Sequence, residues 1–224
     1  MAENKHEFKA EIKKLLHILS RSLYQHKEIF LRELVSNSSD ALKKMHFISL
    51  SEKDYNDPDA QLRIDISFDA KNKQIRINDT GVGLTKEEVV ENLGTIAGSG
   101  TQRFLEQLKA SEDKKDDKKD NKLDLDIIGQ FGVGFYSVFM VADKVQVITK
   151  SYKKGESAWQ WESDGSGEFI VTPAERSTRG TEIIIFLRED ESEYLASYRL
   201  ESIIKKYSNF VPYTIYVSEI KGPE

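Results

Sequence analysis

Apolar and polar positions change period several times along the chain, and each change marks an element. Lys27 to Met45, KEIFLRELVSNSSDALKKM, has no Pro or Gly and is rich in Leu, Glu, Lys and Ala, which predicts a helix of about five turns. On a wheel at about 100° per residue, Phe30, Leu34, Val35, Ala41, Leu42 and Met45 share one broad side, the side to be buried. Glu33, Asn37, Asp40 and Lys44, at steps of 4, 3 and 4, form a narrow stripe along the axis. Arg32, Ser36, Ser39 and Lys43 lie beyond it, away from the apolar side. On the wheel alone, the stripe continues the solvated half of the helix. It also borders the apolar side, where a pocket wall would run, and it holds an Asn in mid-helix, a poor helix former. An Asn and a carboxylate one turn apart are oxygen ligands of the kind Mg²⁺ takes when it is shared with phosphates.

A second amphipathic helix is predicted over Glu11 to Tyr24, with Ile12, Leu15, Leu16, Leu19 and Leu23 at helical spacing. His17 and His26 lie near it with no partner at metal-ligand spacing, so they read as packing or surface histidines. Residues 51–60 are polar and read as a loop. Leu62, Ile64, Ile66 and Phe68, then Ile75 and Ile77, form the inward faces of an antiparallel hairpin turning at Asp69 to Lys73. Two further residues bring Asp79 to the inward face where the strand ends, and a carboxylate there needs donors. It opens a D-x-G-x-G turn with Gly81 and Gly83, which alone is weak evidence of function, since such turns are common.

Thr85 and Glu88 have the form of a capping box, predicting a short helix over Lys86 to Asn92. Gly94 to Thr101, GTIAGSGT, is rich in backbone N–H groups free to meet an anion. Lys109 to Asp126 alternates Lys and Asp with almost nothing apolar, and reads as a solvated loop. In Ile127 to Val141 the glycines 129, 132 and 134 precede an apolar run that suits a buried helix. Such a turn presents N–H groups and the positive end of a helix dipole to phosphate. It reads equally as a tight turn into a core helix. Strands are predicted over Lys144 to Lys150, Ala158 to Glu162, Glu168 to Val171, Glu182 to Leu187 and Tyr213 to Val217, and a helix over Leu195 to Lys206. Helices first, then hairpin, helices, strands and a last helix predict an α+β two-layer sandwich with helices on one face of one sheet, in a single domain.

Composition narrows the function. The 224 residues can bury a proper core, and 32% charged residues with a net charge of -5 argue against a nucleic-acid footprint. There is no Cys, which excludes disulfides and thiolate metal sites. No run has signal-peptide or membrane-spanning character, so a cytoplasmic chain without membrane contact is expected.

HKEIFLRELVSNSSDA, NDTGVGLT, NLGTIAGSGT and IGQFGVGFYSVFMVADKV occur in that order over essentially the whole chain. Together they closely resemble the ninety-kilodalton heat-shock chaperone family, whose N-terminal domain belongs to the GHKL ATPase superfamily. The resemblance implies a Bergerat ATP-binding fold with a mixed, mainly antiparallel sheet, ATP or ADP as ligand, and Mg²⁺. It implies Glu33 as general base, Asn37 as the Mg²⁺ ligand, and Asp79 as acceptor for the adenine amino group, helped by a water near Gly83 and Thr181. Asp40, Ala41, Lys44, Leu84, Asn92, Gly98 and Phe135 fall at further pocket positions. The turn Gln130, Gly132, Val133, Gly134 and Phe135 would cradle the terminal phosphates, and residues 94–126 would form a lid.

Leu84 stands where many members have Met, and Gly98 where many have a phosphate-reaching Lys, leaving that contact to Lys44 or another segment. The Lys/Asp-rich insert is longer than the family suggests. The middle domain, with its Arg for the γ-phosphate, and the C-terminal dimerisation domain are absent from these 224 residues. The expectation is therefore a nucleotide-binding domain, monomeric by itself, that binds ATP and hydrolyses it very slowly. The full-length homodimer would act on client proteins with co-chaperones. Alternatives within the superfamily are a topoisomerase, mismatch-repair or histidine-kinase ATPase. A non-enzymatic binding module leaves inward Asp79 unexplained.

Overall fold

Alternating inward side chains on neighbouring strands line up in rows, and those rows build one mixed sheet. A computed structural model describes residues 4–7, 27–94 and 134–221. Its strands are β1 (Asn4–Glu7), β2 (Arg63–Asp69), β3 (Gln74–Asp79), β4 (Ala142–Lys150), β5 (Ala158–Ser163), β6 (Glu168–Ala174), β7 (Gly180–Leu187) and β8 (Thr214–Glu219). They lie in the order β1-β6-β5-β4-β7-β3-β2-β8. Neighbours are antiparallel except β2 and β8, which run parallel. The predicted strands are all present, with ends displaced by a few residues.

Strand β1 corrects the expected helices-first order. Its sequence has no apolar alternation, so no periodicity predicts it. Backbone pairing with β6 holds it at the sheet edge, and the His6 ring stacks on Phe169 at 5.1 Å. The predicted helix over Glu11 to Tyr24, with His17 and His26, lies outside the described residues.

Helix α1 (Ile29–Ser51) runs beyond the predicted Met45. The apolar stripe ends at Met45 because packing ends there; Phe47 and Leu50, farther along, are 74% and 71% exposed. Helix α2 (Lys86–Gly94) begins with the predicted capping box: the Thr85 N–H donates to Glu88 Oε2 at 2.8 Å, and the Glu88 N–H to Thr85 Oγ1 at 3.3 Å. Helix α3 (Ser197–Tyr207) matches its predicted span closely.

The buried helix predicted over Ile127 to Val141 is, in its described part, a 3-10 segment, Gly134–Met140, with all seven residues buried. Aromatic and β-branched residues favour neither a long helix nor exposure here, and β4 starts at once at Ala142. The Arg188 guanidinium takes up the carbonyls of Phe139 and Met140 at its end, at 2.8 and 3.3 Å.

The inward face of the sheet carries the core. Ile66, Ile77, Ile183, Val147, Trp161 and Val171 form one row across β2, β3, β7, β4, β5 and β6, all buried. The next row, toward the far end of β3, changes character: Ile64, Asp79, Thr181 and Thr149. Helix α1 covers this face together with the 3-10 segment, while α2 sits over β5 and β6. Helices therefore meet the sheet on the expected side.

Candidate functional site

Between α1, the turn after β3, α2, the 3-10 segment and that polar row lies a cavity of about 350 Å³. Helix α1 contributes Glu33, Asn37, Asp40, Ala41 and Lys44; the turn after β3 contributes Asp79, Gly83 and Leu84. Asn92 comes from α2, Gly134 and Phe135 from the 3-10 segment, and Thr181 from β7. Every predicted site residue that is described thus meets in one place. Gly98, Gln130, Gly132 and Val133 lie outside the described residues, as does the predicted lid beyond Gly94.

The stripe on α1 is not a uniformly solvated face. Glu33 is only 7% exposed, and Ser39, expected on the solvent side, is buried. Ser38, also buried, turns its hydroxyl to Asp79. Arg32 holds one oxygen of the Glu33 carboxylate, donating from Nε at 2.9 Å and from Nη2 to the same Oε1 at 2.7 Å. The other oxygen faces Gly134: a β-carbon built there would lie 2.2 Å from Glu33 Oε2. Only a residue without a side chain admits the carboxylate at this distance. Asn37, Asp40 and Lys44 are exposed along the cavity's open side.

At the sheet floor, Asp79 is 3% exposed. Burial pushes its carboxyl up from 3.8 to about 6, because little water remains to solvate the charge. Its partners work against that rise: the Gly81 N–H, which donates to Oδ1 at 2.8 Å, the Arg176 guanidinium, the Thr181 N–H and the Ser38 hydroxyl. The turn it opens is pressed onto α1, since a β-carbon on Gly81 would lie 2.7 Å from that of Ala41. Gly83 follows at φ +60° with Lys150 O directly over it, so the chain passes where no side chain fits.

Thr149 ties these parts together from behind. Wholly buried, it accepts the Leu84 N–H at 2.9 Å, lies 3.0 Å from Thr181 Oγ1, and donates to the Gly180 carbonyl at 3.2 Å. Sequence reasoning missed Thr149, and also Ser38, Val82, Leu93, Val147 and Ile183 in the lining. Strand alternation carries the signal for Val147 and Ile183, which share the apolar row; nothing local marks Ser38 or Thr149.

The chemistry of the lining suits a ligand with a polar, donor-bearing base and an anionic tail. A buried acceptor sits on the floor, apolar side chains of Leu84, Val147, Ile183 and Phe135 flank it, and Lys44 stands on the open side. Asn37 and the ligand's own oxygens would satisfy Mg²⁺, which takes few protein ligands when phosphates complete its shell. No cluster of three or more His, Asp or Glu able to hold a metal by itself occurs among the described residues. No described helix is long and apolar enough to cross a membrane.

The chain is 51% identical to the chaperone protein HtpG of Chlorobaculum tepidum over 94% of its own length, covering 33% of that relative. It is 50% identical to HtpG of Nitratidesulfovibrio vulgaris and 48% to HtpG of Shigella dysenteriae, in each case over 95% of this chain and 33% of the relative. The chain thus spans about a third of the length of the relatives it matches. A family model describing histidine kinase-, DNA gyrase B- and HSP90-like ATPases matches residues 24–179. With most of the chain inside that match, including α1, the Asp79 turn and β4, the protein belongs to the histidine kinase-, DNA gyrase B- and HSP90-like ATPase family.

Proposed function

We propose that the cavity binds ATP and ADP, with adenine on Asp79 and the phosphates beside Glu33 and Asn37. The observation that carries this reading is the buried, acceptor-bearing Asp79 on the floor of a cavity whose wall, α1, also presents Glu33. Ala41 meets the Asp79 turn, and Glu33 meets Gly134 eight residues earlier on the same helix, which is roughly 12 Å along the axis. That separation suits a ligand as long as a nucleoside triphosphate.

An ionised Asp79 only accepts hydrogen bonds, and the adenine amino group only donates one, so the pair is matched. Apolar walls exclude water from the base. At the other end, Glu33 orients the attacking water and takes its proton on Oε2, the oxygen that Arg32 leaves unengaged. Asn37 would hold Mg²⁺ against the phosphates, and the ion would supply charge neutralisation there. Lys44, the only cation among the described cavity residues, would stand beside the phosphates and stabilise charge there.

The relatives' name supports a chaperone role, in which nucleotide binding drives a conformational cycle of a longer, cytoplasmic, homodimeric protein acting on clients with co-chaperones. Their similarity also disfavours a topoisomerase, mismatch-repair or kinase reading. Calorimetric titration with Mg-ATP and Mg-ADP tests the pocket: the parent binds, Asp79→Asn loses binding, and Glu33→Ala keeps binding but loses turnover. Equal binding by the parent and Asp79→Asn would refute the orientation of the base.

A further inference from the structure

The arginines behind the floor, on the side away from the cavity, are unused by the reading above. Arg176, in the loop between β6 and β7, donates from Nε to the Thr178 carbonyl at 3.0 Å and from Nη2 to Asn78 Oδ1 at 2.8 Å. The same Nη2 lies 3.4 Å from the Asp79 carbonyl oxygen and 3.5 Å from that of Arg179. One guanidinium therefore spans the end of β3, which carries Asp79, and the approach to β7, which carries Thr181. Arg179 is 2% exposed and anchors that approach from beneath: its N–H donates to Asp57 Oδ2 at 2.7 Å, and its Nη1 to the Asp57 carbonyl at 3.0 Å.

We propose that Arg176 is a positioning residue for base selection: by bridging β3 to the start of β7 it sets which hydrogen-bond partner Asp79 presents to the purine. The proposal rests on the adenine orientation above. A carboxylate held beside a cation accepts only, and selects the 6-amino group of adenine. A carboxyl that takes up a proton can donate, and then suits the 6-keto oxygen of hypoxanthine. The charged groups facing this corner are Arg176 and Arg179 from the loop before β7, Asp57 from the loop before β2, and Glu182 on β7. Glu33, Asp40 and Lys44 face the cavity from α1. Both arginines act on the Asp79 carboxylate, but Arg176 alone of the two also touches the end of β3, at Asn78 Oδ1 and the Asp79 carbonyl, while Arg179 is taken up by Asp57.

The test is titration of Mg-ATP and Mg-ITP, which both lack a 2-amino group and differ in the 6-substituent and the N1 proton, into the parent chain, Arg176→Met and Arg176→Lys. The parent should prefer ATP. In Arg176→Met, ATP affinity should fall about tenfold while ITP affinity holds or rises, so that the preference collapses. Arg176→Lys, which restores the charge but cannot span both Asn78 and Thr178, should recover part of the preference. ITP binding also reports that the variant pocket is folded; should Arg176→Met not fold, Arg176→Lys carries the test with an intermediate preference. Equal weakening of both nucleotides, or an unchanged preference in either variant, overturns the proposal and makes Arg176 a structural tie only. A parent that binds both nucleotides equally overturns the adenine reading itself, and the proposal with it.

Discussion

Gly134 lies against Glu33 so closely that a β-carbon on the glycine would stand 2.2 Å from Oε2 and 3.0 Å from the carboxyl carbon. Arg32 holds the opposite oxygen, and the whole side chain is buried, so the carboxylate cannot simply swing aside. Gly134→Ala should therefore displace Glu33, lowering hydrolysis by about tenfold to a hundredfold and stability by about 1–3 kcal/mol. Single-turnover hydrolysis beside a thermal melt checks both. An unchanged rate would show that the carboxylate relaxes without consequence.

The Asp79 carboxyl gives stability and binding opposite pH dependences. Its folded value of about 6 lies above the ordinary 3.8. Its contribution to stability is complete below about pH 4 and lost as pH rises through about 6, a change on the order of 3 kcal/mol. In the proposed orientation adenine binding needs the ionised form, so affinity should be full above about pH 7 and fall about tenfold per unit below pH 6. Asp79→Asn should flatten the stability profile over this interval. Melts of both proteins from pH 4 to 8, with ATP titrations of the parent, measure the two signs.

Two glycines at positive φ separate backbone strain from crowding. At Gly83 a β-carbon would lie 1.9 Å from Lys150 O, whereas at Gly155, φ +81°, nothing lies within 4 Å. Gly155→Ala should cost only about 1 kcal/mol, the conformational share. Gly83→Ala should cost about 3 kcal/mol or more and lower Tm by roughly 6–12 °C, because a backbone carbonyl must move as well. Similar melting shifts for the two would refute the crowding argument.

Thr149→Val keeps the shape of a wholly buried side chain but removes the acceptor of the Leu84 N–H. Leaving that donor unpaired should cost about 1–3 kcal/mol, and the slackened Leu84 should weaken nucleotide binding several-fold. Thr149→Ser restores the hydroxyl and should recover most of the binding. Failure of Ser to rescue would point to the lost methyl group rather than the hydrogen bond.

Local periodicity and turn chemistry were legible in the chain itself. The hairpin, the capping box at Thr85 and Glu88, the later strands and the apolar side of α1 follow from side-chain order, because each is satisfied by contacts a few residues apart or by one buried face. Inward Asp79 was legible too, since strand alternation continues to the last residue of β3. Two local signals misled. Helical spacing placed Ser39 toward solvent, but the fold buries it. The apolar run before β4 suggested a longer helix, but its described part is a 3-10 segment fitted between α1 and the sheet.

What only the tertiary structure decided is who meets whom. The register of β3, β7 and β4 sets Asp79, Thr181 and Thr149 side by side in one row, although they lie far apart in sequence. Strand β1 joins the sheet through backbone bonds that no side-chain pattern announces. Arg176 reaches Asn78 and Gly134 reaches Glu33 only because the sheet brings distant segments together. Sequence order marks the apolar faces of elements, since those follow 3.6- and 2-residue periods; how far burial extends past them, and pairing between elements, depend on packing of the whole core, which no short window contains.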